Sequence, residues 1–436
     1  MNGLSRIPKS TRIWGTVSGT DGASVRLAGL ARLARLGDRI EIETGDGRLP
    51  GEIVAIDGAD MTALLMSPPR GLSAGQKAWL VPDDALTPSE VWLGQVLDAF
   101  GCTATGQPIG GRSPANDTPS PPIRSEMRRP LGPRLTTGLA ALDTFLPLCR
   151  GQRLGVFAGS GVGKSRLMSD LALGVSADVV VVGLIGERSR EVGDFVRLLA
   201  EAGGMHRTVV IAATSEQPAL FKRRAAALTL RTAEHFRDRG QHVLCLLDSL
   251  TRFAEAHREI ALAAGEPPAL RAFPPSTTPV IAELCERAGP GQDGDKGGDI
   301  TAVFTVLVAG SDMEEPVADM VRGVLDGHIV LDRAIAERGR FPAIDLRRSV
   351  SRSAPMAWNE DEEMLVSRAR RLIAAREEAA PMIQAGLYAS GADPLLDEAV
   401  LLWNDLDGFI GSVTRGQTDL DNFDRLREVL GASSPE

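Results

Sequence analysis

Residues 151–173 read GQRLGVFAGSGVGKSRLMSDLAL, and the fold follows from this stretch. Arg153 to Ala158 (RLGVFA) is a short, mostly apolar run of the length of a buried strand. Gly159, Ser160, Gly161, Val162, Gly163, Lys164 and Ser165 come next, and an apolar pattern with helical spacing follows them. Strand, glycine-rich loop, Lys-Ser and helix in that order form the phosphate-binding loop of nucleotide hydrolases. The glycines let successive backbone N–H groups converge on anionic oxygens. A helix beginning near Gly163 adds its positive dipole end. Lys164 is expected to reach the β/γ-phosphates and the Ser165 hydroxyl to ligate Mg²⁺, so ATP and Mg²⁺ are the expected cofactors. The first of the eight motif positions holds Ala158 where glycine is usual; the position asks only for a small residue.

Working outward, residues 135–355 alternate strand-like and helix-like patterns. The strand runs are RLGVFA (153–158), DVVVVGLIG (178–186), TVVIAA (208–213), HVLCLLD (242–248) and AVFTVLVA (302–309), with helical stretches such as Gln217 to Arg239 between them. Fully apolar strands in such alternation predict an α/β domain, a parallel sheet covered on both faces. Ligands of such sheets sit at the C-terminal strand ends. Residues 12–90 differ: short runs (IWGTV, SVRLAGL, RIEIE, GEIVAI, TALLM, KAWLV) separated by Gly/Asp turns predict a small β-barrel. Residues 1–11 read as a polar, basic arm. Residues 91–134, rich in Pro, Ser, Gly and Arg from Gly110 to Pro133, read as a connector. After Pro355 the strands stop. Glu360 to Arg376, Leu395 to Val413 and Asp419 to Leu430 have helical spacing, with a break at Gly386 to Pro394, so residues 356–436 form a helical C-terminal domain.

The chain of 436 residues is 43% hydrophobic and 24% charged, as in soluble globular proteins, and its net charge of −9 argues against a nucleic-acid footprint. Cys102, Cys149, Cys245 and Cys285 are scattered without metal-like spacing and read as reduced thiols. No apolar run approaches a membrane span, and the N-terminus lacks the apolar centre of a signal peptide. The expected location is therefore cytoplasmic.

Two carboxylates end strand runs next to the phosphate loop. Asp248 closes HVLCLLD, where a carboxylate is the expected acceptor for Mg²⁺ through its bound water; Asp-Ser-Leu-Thr also reads as a helix start. Glu187 follows DVVVVGLIG, where a carboxylate can orient and polarise the attacking water; a solvated turn residue paired with Arg190 is the alternative. Arg188 and Arg252 lie just past two strand tips, placed either to neutralise a γ-phosphate or as ordinary surface and cap arginines.

AGSGVGKS, GERSREV, LLDSLTRFAEAHREIALAAGEPPA, ERAG, DMEEPVADMVRGVLDGHIVLDR and ERGRFPAID followed by SVSR occur in that order. Together they resemble the type III secretion ATPase family, the flagellar and injectisome protein-export ATPases, which are themselves similar to the catalytic β subunit of F-type rotary ATPases. The resemblance runs from about residue 90 to 405 and more faintly through the barrel. It implies a β-barrel, a RecA-like P-loop core and a helical C-terminal domain. By the same resemblance Lys164 and Ser165 bind phosphate and Mg²⁺, Glu187 is the catalytic carboxylate, Arg188 contacts the γ-phosphate and Asp248 is the Walker B acid. Arg252 matches an arginine near the γ-phosphate, and Phe341 falls where relatives place an aromatic on the adenine. Arg352, in Ser349-Val350-Ser351-Arg352, matches the arginine finger offered to a neighbouring subunit.

The implied function is Mg²⁺-dependent ATP hydrolysis energising flagellar protein export, with chaperone release and substrate delivery to an export gate. The alternatives are an injectisome ATPase, a rotary ATP synthase β subunit, or a nucleotide-binding assembly factor with little turnover. A non-catalytic subunit should lack the strand-tip Glu, and Glu187 is present. Glu187 and Arg352 in one chain allow a self-assembled ring, by resemblance a homohexamer. Implied partners are a stator-type regulator, a central shaft-like protein, the export gate and chaperone–substrate complexes, with peripheral attachment to the inner-membrane apparatus. The Pro130-Leu131-Gly132-Pro133-Arg134 segment is less basic than is usual in the family, and the arm is short, which puts stator docking through it in question. The glycine-rich stretch Gly289 to Gly298 is expected to be a mobile loop facing a central channel, or else a solvated surface loop.

Overall fold

The computed structural model describes residues 13–81, 85–110, 112–113, 123–269, 272–292, 294, 297–308, 313–414 and 421–431. The expected arm, much of the Pro/Ser-rich connector and part of the 289–298 stretch lie outside the described residues. The first six strands are β1 (Trp14–Asp21), β2 (Ser24–Ala28), β3 (Arg39–Thr44), β4 (Gly47–Asp57), β5 (Asp60–Leu65) and β6 (Lys77–Val81). They close into a barrel in the order β1-β2-β5-β4-β3-β6. Alternation sets the inside: Val25 and Leu27 of β2 and Ile40 and Ile42 of β3 are buried, with their neighbours outside. Every apolar run expected to build this barrel is a strand in it.

Two short strands follow in the connector region. β7 (Ala85–Leu86) pairs with β9 (Arg112–Ser113), and β8 (Val96–Leu97) forms the far edge of the central sheet. Two residues carry too little periodicity to announce a strand, yet Leu97 and the neighbouring Trp92 are fully buried against the sheet.

The central sheet consists of β8 with β10 (Arg153–Ala158), β11 (Val179–Ile185), β12 (Thr208–Ala213), β13 (His242–Asp248), β14 (Asp299–Leu307), β15 (Gly327–Leu331) and β16 (Ile344–Ser351). Its order is β16-β15-β10-β14-β13-β11-β12-β8, parallel except for β16, which runs antiparallel to β15. Strands β11 and β13 are buried along their whole length, as their unbroken apolar sequences require. Each such Val or Leu contributes roughly 1.5–3 kcal/mol relative to exposure. The β14 strand starts three residues before the expected 302, because Asp299 enters the sheet paired with arginines.

Helices α1 (Ala140–Thr144), α2 (Lys164–Gly174), α3 (Ser189–Glu201), α4 (Ala219–Arg237), α5 (Leu250–Ala263), α6 (Thr277–Glu286), α7 (Pro316–Val324) and α8 (Arg333–Glu337) belong to this domain. They divide its core into two apolar layers, one on each sheet face. The barrel joins it where Leu64 and Met66 pack on Leu220, Ala256 and Ile260, beside a Glu52–Arg223 ion pair.

The C-terminal region contains α9 (Ala354–Ala357), α10 (Glu360–Glu378), α11 (Ala380–Gln384), α12 (Pro394–Ile410) and α13 (Asn422–Val429). Asn359 and Glu362 form a reciprocal capping box that starts α10. Leu365, Val366, Leu406, Phe409 and Leu426 continue the α1–α2 layer, so this domain shares a core with the sheet. Arg134 reinforces the join through two bonds to Glu362 (2.8 and 3.0 Å) and by stacking over Phe423.

Candidate active site

The phosphate loop is built where β10 stops and α2 begins. Gly161 and Gly163 have φ of 79° and 93°, the left-handed region that an L side chain rarely adopts. Space is also limiting at Gly163, where a Cβ would approach the Phe341 ring to 3.1 Å. A larger residue at Gly163 would therefore both strain the turn and displace the aromatic. Gly163 is the N-cap of α2 and has no capping side chain, which leaves that helix start to an anion. Arg333 braces the loop from α8 by donating to the Ser160 carbonyl (3.0 Å).

The topology brings three of the expected side chains together. In the sheet β10 and β13 flank β14, and β11 lies beyond β13, so their C-terminal tips are neighbours. Lys164 donates to Glu187 Oε1 at 2.9 Å and to Asp248 Oδ1. Both Lys164 and Asp248 are buried. Burial by itself lowers the Lys164 ammonium, but the charges of Asp248 and Glu187 outweigh it and hold Lys164 above the ordinary lysine range. Burial raises the Asp248 carboxyl, with Lys164 and the Thr305 hydroxyl opposing that shift. Thr305 Oγ1 donates to Asp248 Oδ1 at 2.6 Å. Thr305 is a site residue that the sequence does not reveal: it is one apolar-strand threonine among several, and only the β13–β14 pairing brings it to Asp248.

Ser165 is exposed at the first turn of α2, lining an open groove of about 380 Å³ with Arg166, Ser169, Glu191, Asp194 and Phe195. A hydroxyl here and a carboxylate at Asp248 are hard oxygen donors. Such a pair suits Mg²⁺, which takes few protein ligands and keeps several waters. Among the described residues no three His, Cys, Asp or Glu side chains gather into a closed cage.

The remaining expected residues stand at the rim or elsewhere. The Arg188 side chain is 82% exposed, 3.5 Å from Glu191. Arg252 bonds Glu255 at 2.8 Å, and its aliphatic stem covers Gly186, where a Cβ would come within 2.7 Å of it. Phe341 is 41% exposed beside the loop. Arg352 is at the other end of the sheet. On β15, Leu331 pairs with Ala158 at the loop end, whereas Gly327 pairs with Ser351. Those two registers are four residues apart, roughly 13 Å along the strand. Arg352 is exposed, and its backbone N–H donates to Asp326 O at 3.0 Å.

The chain is similar to known proteins over most of its length. Residues 138–351 match the ATP synthase alpha/beta family, nucleotide-binding domain, and residues 358–425 match the T3SS EscN ATPase C-terminal domain. The chain is 45% identical to the flagellum-specific ATP synthase of Caulobacter vibrioides, over 96% of each chain. It is 40% identical to that of Salmonella typhimurium, covering 92% of this chain and 90% of the relative. The type 3 secretion system ATPase of Pseudomonas syringae pv. syringae is 39% identical, with 91% and 89% covered. Among solved structures, the assembled ATPase EscN from the enteropathogenic E. coli type III secretion system superposes with a TM-score of 0.84 at 33% identity, covering 95% of this chain and all of EscN. EscN in complex with its central stalk EscO gives a TM-score of 0.80.

Proposed function

The chain belongs to the family of flagellum-specific and type III secretion ATPases, and from that premise we propose an active site made by two copies of it. The chain is a P-loop ATPase of the flagellar export type. One copy supplies the loop and carboxylates; the next supplies Arg352. The observation that supports this division is the placement of Arg352 at the sheet end opposite the phosphate loop, about a strand length from its own site.

In the nucleotide-binding copy the Gly159–Gly163 N–H groups and the α2 dipole hold the phosphates. Lys164, held cationic by its two carboxylates, turns from them toward the β/γ oxygens, whose negative charge replaces theirs. That turn frees Glu187 to orient water and take up its proton, and frees the Asp248 carboxylate from its ion pair. Thr305 keeps Asp248 in place during the exchange. Ser165 and Asp248 are the residues that would hold Mg²⁺, which would supply charge neutralisation at the phosphates. Arg188 and Arg252 reach the γ-phosphate by leaving exposed surface pairs, which hold them weakly. Phe341 offers a ring face to the base.

In this reading the copies close into a heterologous ring, a homohexamer, working in the cytoplasm at the inner-membrane export apparatus. Two structures of one relative support assembly and a shaft: EscN is assembled in one and in complex with its central stalk EscO in the other. A stalk-like partner, a stator-type regulator, chaperone–substrate complexes and an export gate are the partners proposed here. The 289–298 stretch leaves the sheet end opposite the site, where Arg128 and Arg129 hold its flanks, and is proposed to face the channel.

Mixing tests the division of labour. Glu187→Gln and Arg352→Ala, each inactive alone, should regain activity when co-assembled one to one. If interfaces form at random, roughly one quarter of sites are whole. A co-assembled mixture no more active than its parts rules out a trans Arg352.

A further inference from the structure

The C-terminal end of β16 packs several buried polar side chains together. Ser351 and Ser353 point into the protein on either side of the exposed Arg352, and both are buried, as is Gln152 just before β10. Ser351 Oγ donates to Pro147 O at 2.7 Å and accepts from Gln152 Nε2 at 3.1 Å. Ser353 Oγ donates to Gln152 Oε1 at 2.9 Å and lies 2.9 Å from Ser351 Oγ. The amide is fixed in turn, because Gln152 Oε1 also accepts from the Cys149 N–H at 2.8 Å. The Arg352 N–H donates to Asp326 O, a carbonyl that also accepts from Gln152 Nε2 at 3.5 Å.

Small apolar side chains would fill these positions without desolvating an amide and two hydroxyls. A fully bonded buried network instead fixes one geometry, since any shift leaves unpaired groups at low dielectric. Among the described residues the Arg352 guanidinium has no hydrogen-bond or ion-pair partner, so its aim depends on its backbone. We propose that Gln152, Ser351 and Ser353 form a positioning device that aims Arg352 at the site of the neighbouring copy. The inference rests on the two-copy reading above. Because Gln152 immediately precedes β10, the strand that ends in the phosphate loop, one segment supports both a copy's own site and the finger it lends to the next.

The test is steady-state ATP hydrolysis by full-length Ser351→Ala/Ser353→Ala and, separately, Gln152→Met, with Arg352→Ala in parallel. Misaiming by about 1 Å can cost up to roughly 10²-fold. Each network variant should lose about 10- to 10²-fold in kcat, less than Arg352→Ala, while Mg-ATP affinity by equilibrium binding stays within about 2-fold of wild type. Co-assembly with Glu187→Gln, which carries an intact network, should restore turnover to sites of the variant copies. Combining all three substitutions should add little, since the groups act as one unit. Serine-to-threonine replacement at 353 keeps the hydroxyl and should return most of the kcat lost in the alanine variant. If Arg352→Ala itself turns over normally, the two-copy reading falls. If Arg352→Ala is dead but the network variants keep wild-type kcat, or lose Mg-ATP affinity and kcat together, the positioning role alone falls. Failure of both network variants to fold or assemble also overturns it, because the network is then only structural.

Discussion

The two ends of the central sheet are electrostatic opposites. At the C-terminal strand end one cation, Lys164, lies between two carboxylates, Glu187 and Asp248. At the N-terminal end one carboxylate, Asp299, lies between two arginines, Arg129 (2.7 Å) and Arg150 (2.6 Å). The second cluster is closed. Asp299 also accepts from the Gly291 N–H at 3.0 Å, and Arg129 Nη2, which bonds Asp299, also donates to the Gly297 and Gly298 carbonyls. The first cluster is open. It has one carboxylate more than it has cations and stands next to a helix start with no cap. An excess carboxylate invites a divalent cation, and uncapped N–H groups invite its anion. The closed end holds a shape; the open end holds groups ready to change partners.

Substitutions can break this contrast, and the largest expected effects belong to the open end and to Arg352, the residue proposed to be lent to it. Arg352→Ala should lower kcat by about 10³-fold while leaving Mg-ATP binding near normal, measured by hydrolysis and equilibrium titration. Comparable losses of affinity and turnover would move Arg352 from the transition state to ground-state binding. Next in size is Glu187→Gln. It should keep the nucleotide and lose about 10²-fold or more in hydrolysis, as removal of a general base predicts; Lys164→Ala should lose both. Near-normal turnover by Glu187→Gln would take the carboxylate out of the mechanism. Phe341→Ala should act more modestly. Losing an aromatic contact of about 0.5–1.5 kcal/mol weakens nucleotide affinity by about 2- to 10-fold, read by competition between ATP and GTP.

The contrast also explains what the sequence reveals. The phosphate loop is legible because its chemistry is local: strand, glycines, Lys-Ser and helix are consecutive. Glu187 and Asp248 are legible because parallel strands put their last residues at one edge. Thr305 and Arg333 are not, since each acts through a neighbour that only the strand order supplies. Strands β15 and β16 escape pattern reading for a different reason. GHIVL is short, and IDLRRSVS carries charges on its exposed face. Without them Arg352 is a motif match with no location; with them it lies at the far end of the sheet. The barrel and the C-terminal helices are visible as alternation and helical spacing, but the two-residue β8 is not.

The smallest expected effect concerns the closed end, and it has a sign that can be checked. Burial raises the Asp299 carboxyl, but the Gly291 N–H, Arg150 and Arg129 outweigh it and hold the group below the ordinary aspartate range. A carboxyl depressed in the folded state binds fewer protons there than in the unfolded chain. Its stabilisation is therefore complete above the ordinary value of 3.8 and is lost as pH falls from there through the lowered one. Asp299→Asn keeps the shape and removes the charge, leaving Arg129 and Arg150 facing a neutral amide. At pH 7 it should cost about 1.5–3 kcal/mol, the range for a hydrogen bond to a charged group, measured by urea unfolding. Between pH 7 and pH 5 that cost should stay flat. Below about pH 4 it should shrink, because wild type then loses the same charge by protonation. ATP binding at neutral pH should be unchanged, since the phosphate loop sits at the other end of β10. A cost that grows on acidification would mean that Asp299 is held neutral, and the two ends would no longer be opposites. A loss of ATP affinity in folded Asp299→Asn would mean that the closed end reports to the open one along β10 and β14, and the contrast would become a coupling.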